Sequence, residues 1–302
     1  MLNQKSEIVS CNTILLKMQQ HITNVGVIGA GAMGHGIAQV FAQAGYSVKL
    51  NDVSLEFIAK GISRIEGNLT RSMEKGRITD VQKKQTLSRI SPAPDLSEFQ
   101  DRELVVEAAL EKVEVKSELF RRLDKVCSEE SILASNTSSI PITQLAGLVS
   151  HPSRTVGMHF FNPVPVMKLV EIVRALQTSE DTVAKIREVS ARLDKTAVVV
   201  KDSAGFVSNR ILCPMINEAI FALEEGVATR EDIDTVMKLG MSHPMGPLEL
   251  ADFVGLDIVL DVLKVLYEEF QDPKYRVSPL LRQMVRAGYL GRKSGRGFYT
   301  YA

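Results

Sequence analysis

Gly29, Gly31 and Gly34 stand at G-x-G-x-x-G spacing within Val25-Gly26-Val27-Ile28-Gly29-Ala30-Gly31-Ala32-Met33-Gly34, a pattern suited to holding a pyrophosphate. The first glycine permits a tight turn, the second lets the backbone approach the phosphates, and the third permits close packing of a helix on a strand. Here an apolar strand precedes the motif and the helical segment Ile37–Ala44 follows it, so the helix N-terminus presents its N–H groups to an anion. The next strand, Tyr46–Leu50, ends at Asn51-Asp52, placing a carboxylate 18 residues beyond Gly34. Asp52 is suited to accept a hydrogen bond from an adenosine 2′-hydroxyl and to repel a 2′-phosphate, with no arginine following it, so NAD is expected over NADP. Gly29, Ala30, Gly31, Ala32, Met33, Gly34 and Asp52 are the cofactor-binding set. The competing account is a glycine turn that only packs a helix on a strand beside a surface aspartate.

His159 is the second residue with chemical potential, because imidazole takes up and releases protons near neutral pH. It stands between Met158 and Phe160 in an apolar run, where a buried, satisfied strand histidine is the equal alternative. His35 reads as a helix-start residue, His151 and His243 precede prolines and read as turns, and His21 lies ahead of the first strand.

The elements that must position these groups fall into two textures. Up to about Asp202, short apolar runs at Val25–Ile28, Tyr46–Leu50, Leu104–Ala109, Ser131–Ala134 and Thr155–Phe160 alternate with helix-length amphipathic segments, the mark of βαβ units and a parallel sheet. Met167–Arg174, Asp181–Leu193 and Thr196–Val200 add strand, helix and strand. Ser91–Pro94 reads as a surface loop and Gln82–Lys84 as a solvated helix face. Beyond that point Phe206–Glu225, Arg230–Leu239, Pro247–Val254 and Ile258–Phe270 carry helical spacing broken by Gly and Pro. The expected fold is α/β, a Rossmann-type NAD-binding domain over 22–203 followed by a mostly helical domain over 204–302 for the substrate cleft and dimerisation. Residues 1–17 are expected to be dispensable.

With 45% hydrophobic and 24% charged residues over 302 positions, the chain is globular and long enough for two domains. Thirty-six basic residues balance thirty-six acidic ones, so no global field favours nucleic acid, and no stretch approaches a membrane span. Three cysteines, Cys11, Cys127 and Cys213, fit neither a disulfide framework nor a metal knuckle. The leading residues fit neither a secretory signal nor a transit peptide. A soluble, cytoplasmic protein without a metal site is expected.

Several longer segments resemble the short-chain L-3-hydroxyacyl-CoA dehydrogenases from about Asn24 to Tyr301. They are Ala134-Ser135-Asn136-Thr137-Ser138-Ser139, the run from His159-Phe160-Phe161-Asn162-Pro163 to Glu171, Asp202–Arg210, Pro244-Met245-Gly246-Pro247 and Gly295-Arg296-Gly297-Phe298-Tyr299. The resemblance implies NAD-dependent oxidation of a 3-hydroxyacyl-CoA by a homodimer. It assigns His159 as catalytic base, Glu171 as its partner, and Ser138 and Asn209 to the substrate oxygen. It carries Glu111, Lys116, Asn162 and Lys293 to the cofactor and Lys75 to coenzyme A.

The chemistry agrees: a carboxylate on one ring nitrogen fixes the imidazole tautomer, and Asn162-Pro163-Val164-Pro165 could turn one strand back to bring Glu171 to His159. Lys112 stands where the family commonly has asparagine, and Asn68 where some members have a serine touching coenzyme A. Lys75 and Lys116 could equally be solvated helix lysines, and Asn209 a helix cap. The rival activities are a dehydrogenase of a free hydroxy or sugar acid and a non-catalytic NAD-binding sensor.

Overall fold

The structure, a computed structural model, describes residues 21–301. Cys11 and the expectation that residues 1–17 are dispensable lie outside the described residues.

The apolar runs form one sheet: β1 (Asn24–Ile28), β2 (Ser47–Asn51), β3 (Ile90–Pro92), β4 (Leu104–Glu107), β5 (Ile132–Ser135), β6 (Thr155–Phe160), β7 (Leu169–Arg174) and β8 (Thr196–Lys201). Their order is β3-β2-β1-β4-β5-β6-β7-β8. Six strands run parallel in the doubly wound 3-2-1-4-5-6 order, and β7 then returns antiparallel to β6. Every residue of β4, β5 and β6 is buried, which is why these segments read as continuous apolar runs rather than alternating ones.

The expected loop at Ser91–Pro94 is partly wrong, because Ile90–Pro92 is the edge strand, paired from Val48↔Ile90 to Leu50↔Pro92. A proline has no amide to donate, and an edge strand has one side where none is required. The following Ala93 is fully buried, and its carbonyl accepts a hydrogen bond from Asn51 Nδ2 at 2.7 Å.

The sheet is accompanied by α1 (Gly34–Gln43), α2 (Leu55–Glu74), α3 (Asp80–Ser88), α4 (Val113–Val126), α5 (Ile142–Ala146) and α6 (Glu180–Arg192). Ser54 and Ser179 cap α2 and α6, and Thr79 with Gln82 forms a capping box on α3, whose Gln82 and Lys84 face solvent. Ile37 and Phe41 of α1 and Ile58 and Ile65 of α2 join Val25, Val27, Val48 and Leu50 in the core.

The chain divides into two compact units. One runs through Thr137 and takes in Ile142–Val199; the other comprises Ser138–Pro141 and the chain from Val200. The second unit is helical: α7 (Ser208–Glu224), α8 (Arg230–Thr235), which continues into a π-helical turn over Val236–Gly240, α9 (Pro247–Val254), α10 (Leu256–Phe270) and α11 (Pro279–Arg286). Its core gathers Ile216, Ile220, Leu248, Leu256, Leu263 and Leu281.

Two buried aspartates tie this unit together. Asp234 accepts from the amides of Leu248 (2.8 Å) and Glu249 (3.0 Å), capping α9, and from the Tyr299 hydroxyl (2.8 Å). Asp252 accepts from the amides of Phe298 (2.9 Å) and Tyr299 (2.8 Å) and from the Tyr301 hydroxyl (3.0 Å), so it holds the last turn of chain against α9. The approach is close enough that a Cβ at Gly297 would lie 1.9 Å from Asp252 Oδ1.

Among the described residues no helix is long and apolar enough to cross a membrane. Cys127 and Cys213 are free and buried, and burial pushes their thiols up to about 11 and about 12. Buried thiols of this kind are inert.

Candidate active site

Gly29 leaves β1 with φ of +94°, and a Cβ there would lie 2.4 Å from the Ala108 carbonyl oxygen. At Gly34 a Cβ would lie 1.7 Å from the Gly29 oxygen, so helix and turn touch backbone to backbone. At Gly31 a Cβ would meet nothing within 4 Å, which leaves open space beside the turn. No side chain caps α1, and of its first-turn amides that of His35 donates to the Gly31 carbonyl at 3.2 Å. Ala32 is exposed and Met33 partly so, at the mouth of the same turn, while His35 stays within the helix start, its Nδ1 2.6 Å from the Gly31 oxygen.

Asp52 closes this cradle. Its Oδ2 accepts from the Ala30 amide and its Oδ1 from the Val53 amide, each at 2.7 Å, so the carboxylate is fixed to the glycine turn itself. Each oxygen keeps a second lone pair for a ribose hydroxyl. A pyrophosphate and an adenosine ribose fit these residues on chemistry and space.

The carboxyl ends of β4 and β5 line the same edge of the sheet. Lys116 is 1% exposed, so its solvated alternative does not hold: its Nζ donates to Glu107 Oε1 at 2.7 Å and lies 3.3 Å from Glu111 Oε2. Thr137 Oγ1 also donates to Glu111. Glu107, the last residue of β4, escaped sequence reasoning; the signal was a carboxylate ending an otherwise apolar strand.

His159 lies near the carboxyl end of β6, directly across from Glu171 on β7 in the antiparallel register. Its Nδ1 is 2.7 Å from Glu171 Oε2, with the two side chains 9% and 3% exposed. A carboxylate only accepts at this contact, so Nδ1 donates to it, and in the neutral form of the ring Nε2 is then the nitrogen without a proton. The ring also packs against Phe161, centroids 4.8 Å apart.

Two residues that sequence reasoning missed hold this arrangement. Asn136 Oδ1 accepts from the Phe160 amide at 2.9 Å, anchoring the backbone beside His159. Lys195 donates to the carbonyls of Val164 (2.8 Å) and Met167 (2.6 Å), pinning the turn between β6 and β7. Burial first, and the Lys168 charge second, hold the Lys195 ammonium below its usual value. Asn162 is exposed on this turn. Lys75 is the exposed C-cap of α2, and Asn68 in the same helix donates to Gln39 Oε1 at 3.2 Å.

Ser138, Asn209 and Lys293 belong to the helical unit. Asn209 lies inside the first turn of α7 rather than at its cap, which is Val207, and its Nδ2 approaches the Ser138 carbonyl at 3.5 Å. Lys293 pairs with Asp257 at 2.5 Å. The expected residues thus gather within units as Gly29–Gly34 with Asp52, Glu111 with Lys116, His159 with Glu171, and Ser138 with Asn209.

A doubly wound sheet with a glycine cradle and a buried His–Glu pair at its carboxyl edge describes a nucleotide-dependent oxidoreductase fold. Comparison with known proteins makes the assignment specific. The family described as 3-hydroxyacyl-CoA dehydrogenase, NAD binding domain, matches residues 24–203, and 3-hydroxyacyl-CoA dehydrogenase, C-terminal domain, matches residues 205–301. The chain belongs to the 3-hydroxyacyl-CoA dehydrogenase family.

It is 52% identical over 280 residues to a probable 3-hydroxybutyryl-CoA dehydrogenase of Bacillus subtilis, covering 93% of this chain and 98% of that one. Identity to a 3-hydroxybutyryl-CoA dehydrogenase of Bradyrhizobium diazoefficiens is also 52% over 280 residues, 93% and 96% of the two chains. The crystal structure of (S)-3-hydroxybutyryl-CoA dehydrogenase from Ralstonia eutropha superposes with a TM-score of 0.91 at 50% identity, covering 93% of this chain and 99% of that one.

Proposed function

We propose that this protein interconverts (S)-3-hydroxyacyl-CoA, 3-hydroxybutyryl-CoA above all, and 3-oxoacyl-CoA with NAD(H), as a cytoplasmic enzyme of fatty acid metabolism. The observation that carries the reading is the buried His159–Glu171 pair, set on the same sheet edge as the glycine cradle in a chain of this family. A binding module has no need of a base oriented by a carboxylate.

In oxidation, His159 Nε2 takes the proton of the 3-hydroxyl while Glu171 stabilises the imidazolium that forms. Ser138 and Asn209 hold the oxygen as it becomes a carbonyl. Bound NAD supplies the hydride acceptor. The glycine cradle, Asp52, Glu111, Lys116, Asn162 and Lys293 hold the cofactor, and Lys75 meets the coenzyme A moiety. On this reading 22–203 is the cofactor domain and 204–302 serves substrate binding and dimerisation.

Following NADH oxidation with acetoacetyl-CoA and, separately, with free acetoacetate tests the proposal. Turnover of the thioester alone supports it; equal turnover of the free acid assigns a hydroxy-acid dehydrogenase, and turnover of neither a sensor.

Asp52 is expected to set the choice of cofactor. Asp52→Ala removes a charge-assisted acceptor for the 2′-hydroxyl, so the NAD to NADP preference in kcat/KM should fall by about 10-fold or more. An unchanged ratio removes Asp52 from the ribose site.

A homodimer held mainly by the helical unit is expected, a reading supported by its exposed apolar side chains Ile211 (65% exposed), Leu239 (81%) and Met241 (61%). Light scattering at micromolar concentration should give twice the chain mass, and a monomer would refute the assembly.

A further inference from the structure

Glu107 takes no part in moving the proton, yet none of its surface reaches solvent and every neighbour it binds belongs to the cofactor edge. Oε1 accepts from the Ala109 amide and from Lys116 Nζ, each at 2.7 Å, and Oε2 accepts from Ser135 Oγ at 2.6 Å. Lys116 reaches on to Glu111 at 3.3 Å and to the Ala109 carbonyl at 3.4 Å. The strand-end carboxylate therefore grips the loop 108–111 twice, at its backbone directly and at its Glu111 side chain through the lysine. That loop also forms the wall of the glycine turn, since the Ala108 carbonyl is what blocks a Cβ at Gly29.

A buried ammonium–carboxylate pair gives little net stability over apolar residues of the same volume, because desolvating two ions offsets their attraction. What such a pair does provide is fixed geometry. We propose that Glu107 is a positioning residue for the cofactor: acting through Lys116, it holds Glu111 and the loop 108–111 in the place where NAD is bound. This rests on the reading of this sheet edge as the NAD site.

Glu107→Gln tests it, since the amide keeps an oxygen for Ala109 and loses the charge that holds Lys116, while its NH2 meets the Ser135 hydroxyl, which can accept instead of donating. NADH affinity is read by fluorescence titration in Glu107→Gln, Lys116→Met and the double variant, beside KM values and melting temperatures. Losing a charge-assisted contact of this kind is expected to weaken NADH binding and raise its KM about 10-fold or more. In Glu107→Gln the KM for acetoacetyl-CoA, and kcat at saturating NADH, should stay within about threefold, a split that general damage to the fold would not give.

Because Glu107 acts through Lys116, the double variant should bind NADH no more weakly than Lys116→Met. Multiplied losses, unchanged affinity in Glu107→Gln, or a parallel fall in every kinetic constant would overturn the proposal. Should Glu107→Gln not fold, Ser135→Ala removes one donor to the same carboxylate and should weaken NADH roughly 3- to 10-fold, with unchanged binding counting against the role. Asp52→Ala run alongside separates the failures. Affinity lowered by that change and untouched at Glu107 overturns the positioning role alone, whereas affinity untouched by both overturns the cofactor site as well.

Discussion

Glu171→Gln is expected to lower kcat about 100-fold or more in both directions while leaving NADH affinity nearly unchanged. The glutamine keeps the shape of the buried pair but cannot stabilise an imidazolium beside it, and its amide can turn the ring to the wrong tautomer. His159→Ala should cost at least as much. Since the two side chains form one contact at 2.7 Å, the double variant should lose less than the product of the single losses. Multiplicative losses would separate Glu171 from His159, and near-normal turnover of His159→Ala would end the assignment of a base.

Asp252→Ala should destabilise the helical unit by about 3–5 kcal/mol, a fall in its Tm of roughly 12 °C or more, without touching His159 or Glu171. It leaves the Phe298 and Tyr299 amides and the Tyr301 hydroxyl without their acceptor. Thermal melts of the variant against the parent decide it, and a change below about 1 kcal/mol would show that the aspartate is dispensable. Burial first and the bond to Asp252 second push the Tyr301 phenol up to about 12 from 10.0. A group raised on folding stabilises fully below its unfolded value, so this contribution is present below pH 10 and is lost as the pH climbs toward 12.

The sheet was legible because its strands β4, β5 and β6 are buried on both faces and so appear as unbroken apolar runs, and the glycine turn because its three determinants lie within six residues. His159 by itself was ambiguous. A histidine in an apolar strand looks the same with or without an acceptor, and only the family resemblance pointed to Glu171, 12 positions on. Lys116 looked solvated because it sits on an amphipathic helix, while the carboxylate that permits its burial ends the preceding strand. Asp234 and Asp252 are acids in helices, a common surface pattern, and their partners lie between 14 and 65 positions away in sequence. β3 was hidden by Ser91 and Pro92, whose types signal a loop unless the strand is known to be an edge.

The antiparallel return of β7 makes the proposed His–Glu site depend on a length as well as on residue types. Side chains alternate between the two faces of a strand, so His159 and Glu171 meet only because the chain between β6 and β7 delivers them to opposite positions of the ladder. One residue added to the turn and not looped out would bring Val170 opposite His159 and carry the carboxylate to the other side of the sheet. Such a protein would keep both residues and the apolar character of both strands, and still lose the carboxylate that orients the histidine. The carbonyls that Lys195 holds at Val164 and Met167 lie within that stretch, so this lysine works as a spacer that guards the count.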